Sequence, residues 1–360
     1  MAHEMGAANH GYVWPYVVFA SDNEAMQVWA TAPRSAQEQS VRYLSECAVS
    51  VPLEQFQSGV EEFINAVVRR LSAVGQDGSD LAQLWELVQA DRQDPVATRY
   101  RKIEAALGYD PDECPEKLIE QALAFDRAMG GSALTELAPL YGKFGSGPSL
   151  AALGELSEQP GLIGRPDVPD LHLARPKSAS EPPWVRAVAA ARMLRDRVGI
   201  GEGRVRDETL LELLGLERTD ATEVPSARIR RESGIGVPET AGRFKFLPRK
   251  RHPWARRFEL SRFIADLVQT QGAPQWLTST DLSTSRQKFQ RAFAAEFLCP
   301  IDQLKGFLDE DYSESGIEDA AEYYDVSEQT VVSLLANHGL IQPPWANGYG
   351  EVSLPYALGA

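Results

Sequence analysis

The chain has 360 residues, 43% hydrophobic and 24% charged, an ordinary globular balance with length enough for two or three domains. Its net charge of −15 disfavours whole-molecule binding to nucleic acid or to an anionic membrane. No apolar run approaches the roughly 18–20 residues needed to cross a bilayer, and "MAHEMGAANHGYVWP" lacks the layout of a secretory signal.

In chain order, "YVWPYVVFAS" and "AMQVWATAP" are rich in β-branched and aromatic residues and flank the turn formers Ser21-Asp22-Asn23, which predicts strands. "SVRYLSECAVSVPL" supplies one or two more. Helical spacing then begins: Phe56, Val60, Phe63, Ile64, Val67, Val68 and Leu71 share one stripe. Further helices are expected in "SDLAQLWELVQADRQ", capped by Ser79 or Asp80, in "VATRYRKIEAALG", closed by Gly108, and in "CPEKLIEQALAFDRAMG", closed by Gly130. Residues 1–143 therefore read as an N-terminal α+β domain, a small antiparallel sheet followed by helices, of unknown role.

Residues 144–183 read as a Pro/Gly-rich linker with one short helix at "SLAALGELS". From Trp184 the pattern sharpens into "WVRAVAAARMLRDRVG", stopped by Gly199, and "RDETLLELLGLE", with Asp207 as N-cap and Gly215 as stop. "RFKFLP" predicts a strand, "RRFELSRFIADLV" and "STSRQKFQRAFAAEFLCP" two strong helices. Leu260, Phe263, Ile264, Leu267 and Val268 form the apolar stripe of the first. Residues 309–342 have the cadence of a helix-turn-helix with Val326-Ser327 at the turn, but its second helix carries no Lys or Arg, which suits packing or protein contact better than DNA reading. A tail, 343–360, follows.

Charge is unevenly spread. From Arg228 to Arg262 there are eleven Lys/Arg and three Glu; from Asp309 to Asp325 there are eight acids and no base. The two segments either neutralise each other in the fold or leave a basic surface for an anionic partner, for which Arg249, Lys250, Arg251, His252, Arg256 and Arg257 are the candidate patch. "GIGEGRV" follows a helix and not a strand, so it reads as helix stop plus turn rather than a phosphate loop. Cys47, Cys114 and Cys299 are odd in number, far apart and without a CxxC, which suits buried thiols in a reducing cytoplasm and no cysteine zinc site. The five histidines form no HxxxH or HxH pair.

Three stretches carry a family likeness: "AARMLRDRVG" with "LLELLGLE", then "RFKFLPRKRHPWARRFELSRFIAD" with "FAAEFLCP", then "VSEQTVVSLLANHGLI". In that order and spacing, residues 184–341 resemble the ImmA/IrrE family of bacterial and phage metallo-endopeptidases. The resemblance implies a mainly helical, zincin-like α+β domain over 184–308 ending in the helix-turn-helix-like segment. The family pattern R-F-x-L-A-H-E-x-G-H holds zinc through two histidines one helical turn apart, with a glutamate between them to polarise the bound water.

This chain departs from that pattern at the chemistry. The first histidine aligns with Arg262, the glutamate with Phe263 and the second histidine with Asp266. A charged guanidinium has no lone pair for a metal, and phenylalanine accepts no proton. The family's third ligand is an acid from the next helix; "RQKFQ" offers none, while Glu296 survives within "FAAEF", and which position held the ligand stays open. The expectation is a non-catalytic regulatory or interaction protein, a pseudoenzyme without cofactor or metal, cytoplasmic, binding a protein partner such as a repressor or toxin in repressor control, antitoxin or phage-defence settings. In that reading Arg262 and Asp266 pair with each other or with Glu296 inside the former metal pocket. The alternatives are an active zinc metallo-endopeptidase and a nucleic-acid-associated regulator using residues 228–262.

Overall fold

The computed structural model describes residues 2–8, 13–31, 43–145, 147, 149–173, 181–217, 232–271 and 273–342. Among these, the chain forms two compact units of mixed α+β structure, one running to Ile119 and one from Glu120 onward. No helix among the described residues is long and apolar enough to cross a membrane.

The first unit opens with an antiparallel sheet in the order β1 (Ala2–Glu4), β2 (Tyr16–Ser21), β3 (Ala25–Thr31) and β4 (Cys47–Pro52). The β2–β3 hairpin turns on Asp22, whose Oδ1 accepts from the Glu24 and Ala25 amides, with Asn23 left-handed at φ 81°. Helix α1 (Leu53–Ala73) follows β4 directly and sets Phe56 against Phe19 of the sheet. Helices α2 (Asp80–Gln93) and α3 (Pro95–Ala106) start on Ser79 and Asp94, whose side chains accept from the Ala82 and Val96 amides. Helix α4 (Glu116–Met129) leads into the second unit.

There, α5 (Ala133–Tyr141) and α6 (Leu150–Ser157) precede strand β5 (Leu162–Gly164). Helices α7 (Pro183–Arg197) and α8 (Asp207–Leu214) follow, then β6 (Gly234–Pro238), β7 (Phe244–Leu247), α9 (Pro253–Thr270), β8 (Leu277–Ser279) and α10 (Ser285–Leu298). The strands form one antiparallel sheet, β5-β7-β6-β8. Helix α10 lies between α7 and α9, and α9 also packs on β8. Leu260, Phe263, Ile264, Leu267 and Val268 are all buried, so the apolar stripe read from the sequence is the core face of α9. Phe289, Phe293 and Phe297 stack along α10 at centroid separations of 6.3 and 5.6 Å. Three short helices close the unit: α11 (Ile301–Leu308), α12 (Glu314–Tyr324) and α13 (Glu328–Asn337). Asp325, left-handed at φ 53°, ends α12, and Ser327 caps α13 through the Thr330 amide.

Two expectations about organisation change. The unit boundary lies at residues 119–120, ahead of the expected break at 143. Residues 144–183 are not a connector throughout: α6 buries Leu150, Leu153 and Leu156, and β5 pairs with β7. The glycines there serve close packing, since a Cβ on Gly164 would strike the Leu214 carbonyl. Asp207 is the first residue of α8 rather than its cap, which Arg206 occupies. Residues 174–180, the Arg228, Arg230 and Arg231 end of the basic segment, and the tail 343–360 lie outside the described residues.

Candidate functional site

The polar side chains of α9 that face the sheet are Glu259, Arg262 and Asp266, spaced three and four apart and therefore on one side of the helix. All three are buried. A buried ionised group is tolerated only if paired and hydrogen-bonded, and each has found a separate set of partners.

Asp266 is fully buried and meets Arg286 of α10 in a two-point contact, Nε to Oδ1 at 2.6 Å and Nη2 to Oδ2 at 2.7 Å. The Thr278 amide of β8 donates to the same Oδ2 at 2.8 Å. Arg286 also reaches the Trp276 carbonyl and Ser132. Burial works to lower the pKa of Arg286, but Asp266 outweighs it and the guanidinium is held above its ordinary range.

Arg262 turns elsewhere. Its Nη2 donates to the Thr280 carbonyl at 2.7 Å and to Gln287 Oε1 at 2.5 Å. Gln287 Oε1 accepts from the Thr280 amide as well, and Gln287 Nε2 donates to Glu136 of α5 and to Thr278. Thr284 Oγ1 donates to the same Glu136 Oε2 at 2.5 Å. Burial raises the Glu136 carboxyl above its usual range, against the pull of Thr284 and Arg286. Burial, followed by Arg291 and Arg249, pushes Arg262 well below the ordinary guanidinium range.

Glu259 serves the loop before α9. Its Oε2 accepts from the Arg249 and Lys250 amides at 2.8 and 2.9 Å, while Oε1 accepts from Arg249 Nε and Ser279. Arg249 spans onward to Asp281, Nη1 at 2.7 Å and Nη2 at 2.6 Å. Three guanidiniums thus hold one short loop: Arg262 at the Thr280 carbonyl, Arg249 at the Asp281 carboxylate, and Arg291 of α10 at the Leu282 carbonyl, 2.9 Å. Nε of Arg262 and Nε and Nη2 of Arg291 are buried without a hydrogen-bond partner.

The pairing expected from the sequence is therefore replaced. Arg262 contacts neither Asp266 nor Glu296. Glu296 lies on the α7 side of α10, where it is buried under Arg192 (Nε to Oε1, 2.6 Å) and accepts from the Ile301 amide. Phe263, at the position of the family's glutamate, packs on Phe246 with centroids 5.5 Å apart. Among the described residues no group of three or more His, Cys, Asp or Glu could hold a metal ion.

The six-residue basic patch also divides. Arg249 is half-buried as a residue, with its side chain only 6% exposed in the network just described. Arg257 is buried, reaching Asp207, the Val205 carbonyl at 2.7 Å and the Asp325 carbonyl at 3.3 Å, so it fastens α9 to the start of α8 and the end of α12. Arg256 is half-buried, with Nη2 on the Arg251 carbonyl. Lys250, Arg251 and His252 stay exposed at the entry to α9, His252 edge-on to Trp254.

Sequence reading missed Arg286, Gln287 and Glu136. The available signal was a second set of polar residues, Arg286-Gln287 and Gln290-Arg291, recurring at helical spacing on a helix whose apolar positions are phenylalanine, alanine and one leucine. No known protein family, curated protein or solved structure matches the chain.

Proposed function

We propose that residues 184–342 are a zincin-like, non-catalytic relative of the ImmA/IrrE peptidases and that the chain acts as a regulatory or interaction protein on a protein partner. The observation that carries this reading is the divergence of Arg262 and Asp266. In an HExxH helix the two positions converge on one metal. Here Asp266 is held by Arg286 and the Thr278 amide, Arg262 donates through Nη2 to Gln287 and the Thr280 carbonyl, and Phe263 packs on Phe246. The scaffold residues of the resemblance keep their packing roles while the three chemical positions serve the interior.

The nature of the partner surface supports a protein over a nucleic acid. Among the described residues the acidic run is not consumed by the basic segment: Asp309, Glu310, Asp311, Glu314, Glu318, Asp319 and Glu322 are exposed, while Asp325 meets Arg204 through its carboxylate and Arg257 through its carbonyl. Phe307 and Tyr323 stack at 4.9 Å beside these acids with both rings partly in solvent. Such a surface repels phosphate and suits a basic protein segment. Repressor control, antitoxin action or phage defence would be the setting that the resemblance implies.

Two measurements test the proposal together. The zinc-supplemented protein, incubated with unfolded protein substrates, should leave them uncut. Reversal of Glu314, Glu318, Asp319 and Glu322 to lysine should abolish capture of whatever protein the wild type retains. Chelator-sensitive cleavage would refute the non-catalytic half, and capture unchanged by the reversal would refute the acidic surface.

A further inference from the structure

In the first unit, no hydrophobic residue between Val13 and Lys102 is buried among the described residues; the first that is buried is Ile103. Helix α1 is the longest element of this unit. Phe56 lies on Phe19 at 5.6 Å, Asn65 accepts from Trp85 Nε1 at 2.8 Å, and Glu61 pairs with Arg92 of α2 at 3.0 Å. At 100° per residue, Glu62, Ala66, Arg69 and Arg70 fall in the arc between Asn65 on one flank and Phe56 on the other, with Phe63 at the Phe56 edge, and all five are exposed. Phe63 is 69% exposed.

The charge order along this face matches itself in reverse. Glu62 precedes Ala66 by four residues, and Arg69 and Arg70 follow it by three and four. A second copy laid antiparallel, with the two-fold axis beside Ala66, sets Glu62 of each copy opposite Arg69 and Arg70 of the other, twice over. A parallel pairing would set glutamate on glutamate and arginine on arginine. The same reversal places Phe63 of each copy over the Val67–Arg70 turn of the other, where the ring meets a valine side chain and an arginine stem. Bulk does not obstruct the approach, because Ala66 is small and nothing lies within 4 Å of the Cβ position at Gly59.

We propose that this face of α1 is a self-association surface, on which two copies of the chain pair antiparallel about a two-fold axis beside Ala66. Self-complementarity of one patch is what such an axis demands, and it distinguishes a second copy from an unrelated partner, which would have to supply the reversed charge order independently. The proposal is independent of the reading of the second unit.

The test is the mass of the full-length chain by sedimentation over a wide concentration range, with circular dichroism to confirm folding. The wild type should be a dimer that dissociates on dilution and with added salt. Glu62→Arg alone, and Arg69→Glu with Arg70→Glu, should each weaken association at least tenfold, because each puts like charges together at both ends. An equimolar mixture of those two proteins should recover a one-to-one dimer, and the triple variant should recover a homodimer. Since these positions are exposed, the folded spectrum should not change. A wild type that is monomeric at every concentration, a dimer indifferent to both charge variants, or a failure of both the mixture and the triple variant to recover association would each overturn the proposal.

Discussion

Asp266 and Arg286 show how residue type and position decide a partner. Asp266 lies one turn from Arg262 on the same helix, and on an exposed face that spacing would favour an i,i+4 pair worth a few tenths of a kcal/mol. Buried, it needs all its lone pairs satisfied, and Arg286 offers two parallel N–H bonds from the neighbouring helix while Thr278 adds a backbone donor. Removing Arg286 alone (Arg286→Met) leaves a carboxylate in the core and should cost about 3–5 kcal/mol of unfolding free energy. Removing both, with Asp266→Leu, should cost less than the sum of the single changes, read from urea unfolding. Additive, near-zero effects would show a solvated pair and contradict the burial argument.

Glu136 gives a pH-dependent counterpart. Burial raises its pKa, so over an interval the folded protein keeps a proton that the unfolded chain has released. Its contribution to stability is full below the unfolded value of about 4.3 and falls as pH rises through the higher folded value. A glutamine at this position would stay neutral and keep an oxygen to accept from Thr284 and Gln287. Glu136→Gln should therefore gain on the wild type as pH rises from about 4 to about 8. A stability difference that does not vary with pH would mean that Glu136 titrates normally.

At the scale of elements, the strongest legibility lies where a periodic apolar stripe coincides with end signals. In helix α9 the five-residue stripe alone was legible, and the helix runs from Pro253 to Thr270, past both ends of the stretch that carried it. Substituting Ile264, fully buried in that stripe, by alanine should cost about 2–5 kcal/mol; a thermal midpoint within error of the wild type would remove α9 from the core. Elements too short to show a period were not legible. Strand β5 has three residues and β8 three, and β6, "GIGVP", contains two glycines that carry no alternation. Gly236 is there because Leu277 of the neighbouring strand fills the space a side chain would need, a tertiary fact that no local pattern records. Helix α5 was masked by Pro139 within it. In the site itself, neither the burial of Glu259, Arg262 and Asp266 nor their pairing could be read from α9 alone, because the i,i+4 spacing of Arg262 and Asp266 suits an exposed ion pair equally well. The choice between Asp266, Glu296 and Gln287 as partner of Arg262 depends on which face of α10 turns toward α9, and sequence spacing constrains each helix only against itself.

For the whole molecule the net charge is −15, and among the described residues of the basic segment Arg257 and Arg262 are buried while Arg243, Lys250 and Arg251 stay exposed. Arg249, Arg257 and Arg262 fasten a loop, two helix ends and a helix pair, while the acids of α12 and its approach remain in solvent. In the reading proposed above, that distribution favours a basic protein partner over phosphate. The two units differ in how they are stabilised. The second has a continuous apolar core with an internal arginine–carboxylate network, whereas the described part of the first has little buried apolar surface of its own before Ile103. A small unit with so little interior is marginal alone, which is the context in which an open face on α1 matters.

In the reading proposed above, the α9 positions that align with HExxH hold the fold together without a metal. This claim is tested most directly by measuring zinc content and thermal unfolding on one preparation, purified with zinc present and divided between chelator and added zinc. The account predicts a small fraction of one zinc per chain and the same unfolding midpoint in both halves. One zinc bound per chain, with a midpoint that falls on chelation and recovers when zinc is returned, would contradict it.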